Sequence, residues 1–349
     1  MKKTINMLSR AGTIKGQGVS SAHDEMVGLV KTELADYFEV VNGYFKNGDI
    51  THYHTVNLEY FFKIPFAKFR GVTVGYVHFL PETIEGSIKL AKVCKHVFYR
   101  YLIRFYKSMD YLVVVNPYFI DLLKKYGIER DKVVYIPNYV DDSMFFPVSA
   151  EEKLSLRDQH GISRDKFTIM CAGQLQTRKG IFDFVETAKQ MPDKQFIWAG
   201  GFSFGKITDG YSEIKAIVDN PPENVKFLGI LDREKMNGIY NMADVMFLAS
   251  FEELFPMTIL EAMNCGVPLL LRDLDIYENI LFDFYQKGSS VGDFVAIINR
   301  LAEDKDYYQM AVEQSYKGHI FYSKEHVSDM WKNFYLRIAS EMEKVHNYA

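Results

Sequence analysis

An α/β architecture of two similar halves, each a parallel sheet covered by helices, is predicted by three observations. The chain has 349 residues, a length that suits two domains of roughly 150 residues each. In both halves short apolar runs alternate with stretches of helical periodicity, as in a parallel sheet with crossover helices. Between the halves lies a polar, charge-dense stretch, Asp141 to Lys166, which holds Pro147 and Gly161 and reads as a connection. The expected division is 1–150 and 151–324, with residues 325–349 folding back on the first domain.

Ile5 to Leu8 opens the first half. It leads into the loop Lys15-Gly16-Gln17-Gly18-Val19, where Ser20 and Ser21 can cap a helix running through Met26, Val30 and Leu34. Strand-like runs follow at Tyr37–Val41, Ile50–Val56, Val72–Phe79, Tyr111–Val115 and Val133–Ile136. Beyond the connection the alternation restarts with Phe167–Ala172, a helix from Ile181 to Met191, Gln195–Ala199, Val225–Leu228, Val245–Ala249 and Pro268–Leu271. A long amphipathic helix, Glu325–His346, comes last. Two such halves leave a cleft, and ligands bind at the carboxyl ends of the strands in sheets of this kind.

Charged residues make up 25% and the hydrophobic set 48%, with a net charge of −4. That composition excludes a disordered, collagen-like or nucleic-acid-coating chain. Cys94, Cys171 and Cys265 are too few and too scattered for a disulfide framework or zinc ribbon and fit a reducing compartment. Asn6, Ser9 and Arg10 interrupt the apolar start, against a secretory signal. No apolar run reaches the roughly 18 residues of a spanning helix.

Charge is unevenly spread. Between Gly86 and Met109 stand Lys89, Lys92, Lys95, Arg100, Arg104 and Lys107 without one acid, which leaves −10 on the rest. Leu90, Val93, Cys94, Val97, Phe98, Tyr101, Leu102 and Phe105 recur at helical spacing opposite most of these cations. A basic, aromatic-rich amphipathic helix suits contact with anionic lipid. The same pattern also describes a helix that packs its stripe on a core and solvates its lysines.

The stretch richest in chemistry runs from Ser250 to Pro268. It follows a strand, places Glu253 and Glu261 with seven residues between them, and opens a helix near Met257. Amide groups at that helix start can receive a pyrophosphate, helped by the dipole. The two glutamates can accept hydrogen bonds from sugar and ribose hydroxyls. The first strand of the same half ends in Gly173-Gln-Leu-Gln-Thr-Arg-Lys-Gly180, whose Arg178 and Lys179 can neutralise a diphosphate leaving group.

Three other patterns lead nowhere. Gly201-Phe-Ser-Phe-Gly205 matches a nucleophile elbow, but the loop continues where an elbow must turn into a helix. Gly16-Gln-Gly18 lacks the third glycine of a dinucleotide fingerprint, with Ser21 in its place. His52 and His54 share a strand face without an evident third ligand, so no metal is expected.

Together these motifs resemble the GT-B glycosyltransferases of family 4, the retaining nucleotide-sugar enzymes, over nearly the whole chain. The resemblance is carried by the glutamate pair with Ala-Met-Asn-Cys-Gly-Val-Pro268, by the Arg178-Lys-Gly turn, by Ile136-Pro-Asn-Tyr-Val-Asp141 and by Val225-Lys-Phe-Leu-Gly229. It implies two facing Rossmann-like domains with an interdomain cleft. It also implies a hexosyltransferase that needs no metal or other cofactor beyond its UDP-sugar substrate. Within it Glu261 would bind the ribose, Glu253 the transferred sugar, Lys179 and Arg178 the diphosphate, and Leu228 would lie near the base. Gly173 and the loop Phe255-Pro256-Met257-Thr258 would approach sugar and phosphate, as would Gly16 and Gly18 from the first half. His78, in Tyr76-Val-His-Phe-Leu-Pro81, would stand near the reacting sugar. Gln174 and Tyr139 depart from the family's arginine and glycine. The resemblance is closest to enzymes of low-GC Gram-positive bacteria that add a second hexose to glucosyl-diacylglycerol. It implies UDP-glucose or UDP-galactose as donor, a lipid acceptor in the inner leaflet, and a peripheral protein on the cytoplasmic face held by its basic helix. A soluble enzyme of capsular or exopolysaccharide synthesis and a non-catalytic membrane binder are the alternative readings.

Overall fold

In the computed structural model, which describes residues 2–10, 18–84, 92–203, 205 and 208–347, every strand-like run of the sequence pairs in parallel with its neighbours. The chain divides into one unit of Met1–Tyr139 with Ser323–Ala349 and a second of Val140–Tyr322.

The first unit runs β1 (Lys3–Leu8), α1 (Gly18–Glu33), β2 (Phe38–Asn42), β3 (Ile50–Tyr53), α2 (Leu58–Arg70), β4 (Val72–Val77), α3 (Pro81–Ile84), α4 (Lys92–Lys107), β5 (Tyr111–Val114), α5 (Tyr118–Lys125) and β6 (Val133–Tyr135). Its strand order is β2-β1-β3-β4-β5-β6, so the winding reverses between β1 and β3. Ligands bind at such a reversal because the loops leaving the two adjacent strands diverge. The inner strands β1, β3, β4 and β5 are buried on both faces over most of their length, as helix-covered parallel strands must be.

The second unit runs α6 (Ala150–Gln159), β7 (Thr168–Ala172), α7 (Ile181–Gln190), β8 (Gln195–Ala199), α8 (Tyr211–Asp219), β9 (Val225–Gly229), α9 (Arg233–Met242), β10 (Val245–Leu248), α10 (Met257–Asn264), β11 (Leu269–Arg272), α11 (Glu278–Leu281), β12 (Gln286–Gly288), α12 (Val291–Glu303) and α13 (Lys305–Phe321). Its order, β12-β11-β10-β7-β8-β9, reverses between β7 and β10. The two motifs richest in chemistry therefore leave adjacent strands.

The last helix, α14 (Lys324–Asn347), belongs to the first unit. Trp331, Phe334, Tyr335 and Ile338 are buried there, and Lys324 pairs with Glu33 of α1 at 2.7 Å.

Two sequence readings change. The stretch expected to connect the halves is part of the second unit, and the division falls after Tyr139 rather than at residue 150. Two of its charges are satisfied within that unit. Arg157 is buried and donates to Met242 O at 2.9 Å and to Asp244 at 2.8 Å. Lys153 reaches the same Asp244 at 2.7 Å, and Asn241 ties down Phe146 and Val148. The basic helix is the second case: Leu102, Phe105 and Tyr106 of α4 are core residues, whereas Cys94 is exposed and Val97 is 62% exposed. Among the described residues of the expected stripe, only those of the last turns, Leu102 and Phe105, are buried.

Candidate functional site

In the second unit the ends of β7 and β10 are joined by a network. After β7, a single 3₁₀ turn, Thr177–Lys179, ends at Gly180 in the left-handed conformation (φ 72°). A Cβ there would lie 2.1 Å from Ala249 O, so only glycine lets the turn approach β10 this closely. The Phe251 amide donates to Arg178 O at 2.8 Å, and the Arg178 guanidinium reaches Glu252 O at 3.4 Å.

Within this joint Lys179 Nζ lies 2.5 Å from Glu253 Oε1, and the two side chains are 12% and 5% exposed. A buried ion pair of this kind is held by mutual compensation, because removing either partner strands a charge away from water. An ammonium has three donors, so Lys179 can keep Glu253 and still bond an anion. Polar atoms around it are buried without a partner: Gln176 Oε1, Arg178 Nε, Thr208 Oγ1 and Ser250 Oγ. Buried polar atoms are ordinarily satisfied, and these exceptions, at the ends of β7 and β10 and in the loop after β8, suit a polar ligand.

Arg272, at the end of β11, buttresses the loop. It donates to Ala249 O and Ser289 O, both at 2.9 Å, pairs with Asp183, and lies 4.0 Å under the Phe251 ring. Sequence reading passed over Arg272, although a charged residue closing an otherwise apolar strand was the available signal.

Helix α10 begins after Pro256, which is extended (φ −68°, ψ 135°), and no side chain caps it. Its first amides are thus left for an anion. Phe255 and Met257 are buried, with Phe255 against Tyr322 at 4.9 Å, while Pro256 and Thr258 are half-buried. Glu261, one turn on, is buried and accepts from Tyr240 Oη at 2.7 Å and Arg233 Nε at 3.4 Å. Burial first, and the Glu261 charge second, push the Tyr240 phenol well above its ordinary range, so it remains a donor. Neither Tyr240 nor Arg233 was singled out from sequence, since both sit on α9.

Backbone rather than side chains shapes the floor. Gly173 donates to Ala199 O at 2.9 Å and its carbonyl accepts from Trp198 Nε1 at 3.0 Å. A Cβ on Gly173 would meet nothing within 4 Å, so the space above it is open. Gly200 (φ 142°) could not carry a Cβ, which would lie 1.9 Å from Gly173 O. Leu228 and Gly229 end β9 next to this turn, with Gly200 N bonded to Gly229 O at 2.8 Å. Among the described residues the first α-helix after Ser203 is α8, from Tyr211, whereas an elbow nucleophile turns directly into its helix.

In the first unit the reversal between β1 and β3 carries a cavity of about 510 Å³ lined by Arg10, His54, Asn57, Tyr76, His78, Phe98 and neighbours. His78 stacks on Tyr76 at 4.4 Å, Tyr76 on His54 at 5.2 Å, and His54 on His52 at 4.3 Å, with His23 edge-on to His54 at 4.7 Å. His52 Nδ1 bonds Tyr335 Oη of α14 at 2.7 Å. Burial, and then the neighbouring histidines, lower His52 and His78 to about 3 and His54 well below its ordinary value. In this column His52, His54 and His78 are therefore neutral at pH 7, and His78 keeps Nε2 without a partner. Among the described residues no group of three or more His, Cys, Asp or Glu is arranged to hold a metal.

Some expected residues remain apart. Gly16 and Lys89 lie outside the described residues, and of Lys92 only the backbone is described. Gly18 is the first residue of α1. Lys95, Arg100, Arg104 and Lys107 lie along α4, the last three exposed. Tyr139, the departure from the family glycine, is buried and donates to Glu25 O at 3.0 Å.

Comparison with known proteins fits this geometry. Residues 152–318 match the family described as glycosyl transferases group 1, and residues 42–144 match glycosyltransferase family 4. The chain is 42% identical over 339 residues to the alpha-galactosylglucosyldiacylglycerol synthase of Streptococcus pneumoniae, covering 97% of this chain and 91% of that protein. The chain belongs to the family 4 glycosyltransferases. Another member, the processive diacylglycerol alpha-glucosyltransferase of Acholeplasma laidlawii, is 26% identical over 77% of this chain and 79% of its own length. The GT-B fold is shared with solved structures, including Anabaena HepE in complex with UDP-glucose (TM-score 0.75, 16% identity, 98% of this chain and 100% of that one). Sucrose-phosphate synthase from Thermosynechococcus elongatus matches equally well (TM-score 0.75, 16% identity, all of both chains). As a family 4 glycosyltransferase the protein is a hexosyltransferase.

Proposed function

We propose that the protein transfers glucose or galactose, with retention of configuration, from a UDP-sugar to a membrane glycolipid of the glucosyl-diacylglycerol type. The observation that carries this reading is the Lys179–Glu253 pair at the reversal between β7 and β10, set among partnerless buried polar atoms. A cation, a carboxylate and free amides in one place suit a sugar joined to a diphosphate. The printed names of the two diacylglycerol-acting relatives supply the acceptor class.

Lys179 and Arg178 neutralise the diphosphate as the anomeric C–O bond breaks, and the amides at the start of α10 share that charge. Glu253 accepts hydrogen bonds from the hydroxyls of the transferred sugar, and Glu261, steadied by Tyr240 and Arg233, from the ribose. The acceptor hydroxyl forms the new C–O bond on the same face and passes its proton to the departing phosphate oxygen. No metal enters this scheme. The acceptor sugar occupies the cavity under His78, whose neutral imidazole bonds a hydroxyl without adding charge. The cations of α4 hold the protein on anionic lipid at the cytoplasmic face of the membrane.

The test is incubation with UDP-glucose or UDP-galactose and dispersions of glucosyl-diacylglycerol, diacylglycerol or soluble sugars. A dihexosyl-diacylglycerol with an α-linked second sugar is expected. Transfer confined to soluble sugars refutes the lipid acceptor.

A further inference from the structure

Leu58, Phe62, Phe66 and Phe69 of α2 are 62, 70, 72 and 93% exposed. Their steps of four, four and three residues gather them within an arc of about 80° on one helix face. Tyr60, Ile64 and Ala67 fill the opposite face and face the core. A row of three phenylalanines in water is far from the scattered apolar exposure of an ordinary surface. Phe45, 93% exposed, stands on the side of the helix that bears Lys63: its neighbour Tyr44 stacks on Tyr60 at 6.3 Å and lies under Lys63 Nζ at 5.2 Å.

The surroundings say what covers it. Lys63 and Arg70 flank the row on one side and Lys68 on the other, while the nearby acids Glu59 and Asp110 are engaged by Arg10 at 2.8 Å and Lys68 at 2.7 Å. Helix α4 is the adjacent helix, joined through Phe61, which lies 5.6 Å from Tyr101 and 6.2 Å from Phe105. Arg100, Arg104 and Lys107 of α4 have no ion-pair partner among the described residues. Val56 and Asn57, just before α2, line the histidine cavity with Phe98 of α4.

We propose that the Leu58/Phe62/Phe66/Phe69 face of α2 inserts into the interfacial region of a glycerolipid bilayer beside the mouth of the acceptor cavity. Aromatic side chains with cations on both flanks suit the boundary between acyl chains and anionic headgroups. The basic face of α4 adds a salt-sensitive attraction, whereas insertion of α2 resists salt. The insertion is inferred from exposure and charge; its place beside the reaction rests on the lipid-acceptor reading.

The test sediments the full chain with vesicles of phosphatidylcholine alone and of phosphatidylcholine mixed equally with phosphatidylglycerol. The triple variant Phe62→Ser, Phe66→Ser, Phe69→Ser should bind mixed vesicles about a hundredfold more weakly. It should retain transfer to a short-chain, water-soluble glucosyl-diacylglycerol, which also reports that it folds. In Phe66→Trp the added indole should shift to the blue on vesicles and be quenched by lipids brominated in their acyl chains; Trp198 and Trp331 are buried and give a constant background. Equal vesicle binding by the triple variant, or an unquenched indole, overturns the proposal. So does a self-association that the triple variant abolishes without vesicle binding, since the occupant is then a second copy. Insertion without transfer to the short-chain lipid supports the docking face and removes the lipid-transferase reading.

Discussion

Replacing Lys179 by methionine separates what the Lys179–Glu253 pair does for stability from what it does for chemistry. At 2.5 Å, with side chains 12% and 5% exposed, the pair leaves Glu253 a buried, uncompensated carboxylate when Lys179 is lost. Breaking such a pair from one side costs about 3 kcal/mol or more. For a unit of this size in urea, with a slope of about 2 kcal/mol per molar, the midpoint should fall by about 1.5 M. Trp198 is buried in the second unit and Trp331 in the first, so fluorescence in a Trp331→Phe background follows the second unit alone. Glu253→Gln should cost a comparable amount, and Lys179→Met with Glu253→Gln should cost less than either, because two neutral groups strand no charge. All three variants should lose at least about a hundredfold in sugar transfer. An unchanged midpoint in Lys179→Met, or a double variant with restored transfer, would refute the reasoning.

Glu261→Ala should weaken UDP-sugar binding about tenfold, as one charged hydrogen-bonding group is lost; unchanged calorimetric affinity removes it from the site. His78→Ala should lower turnover more than donor affinity, an idea sunk by steady-state rates that hold. The buried histidines make the first unit acid-sensitive: held neutral when folded but free to protonate when unfolded, each lowers stability as pH falls from about 6.5 toward about 3, by up to about 1.4 kcal/mol per pH unit. His52→Gln should flatten that slope, and an identical slope in the variant counts against the column. Neutralising Lys95, Arg100 and Arg104 should weaken anionic-vesicle binding at low salt and flatten its dependence on salt; undiminished cosedimentation refutes the role of α4.

The alternation of apolar runs made every strand but β12 legible, since strands buried on both faces carry continuous apolar segments; β12, Gln286–Gly288, has no apolar side chain. The resemblance made the Lys179, Glu253 and Glu261 positions legible. What sequence did not show depends on partners far along the chain. His52 meets Tyr335 across 283 residues, and Glu261 is held by α9 rather than by its own helix. Helix α2 went unread because Pro65 and a nearly unbroken aromatic run mask its two faces, only one of which finds a core. Asp141 to Lys166 read as a connection because the partner of its Lys153 and Arg157, Asp244, stands far along the chain.

The most direct measurement is a crystal structure of the protein with UDP bound. The diphosphate should lie against Lys179, Arg178 and the first amides of α10, with the ribose at Glu261. A nucleotide seated away from the ends of β7 and β10 would contradict it.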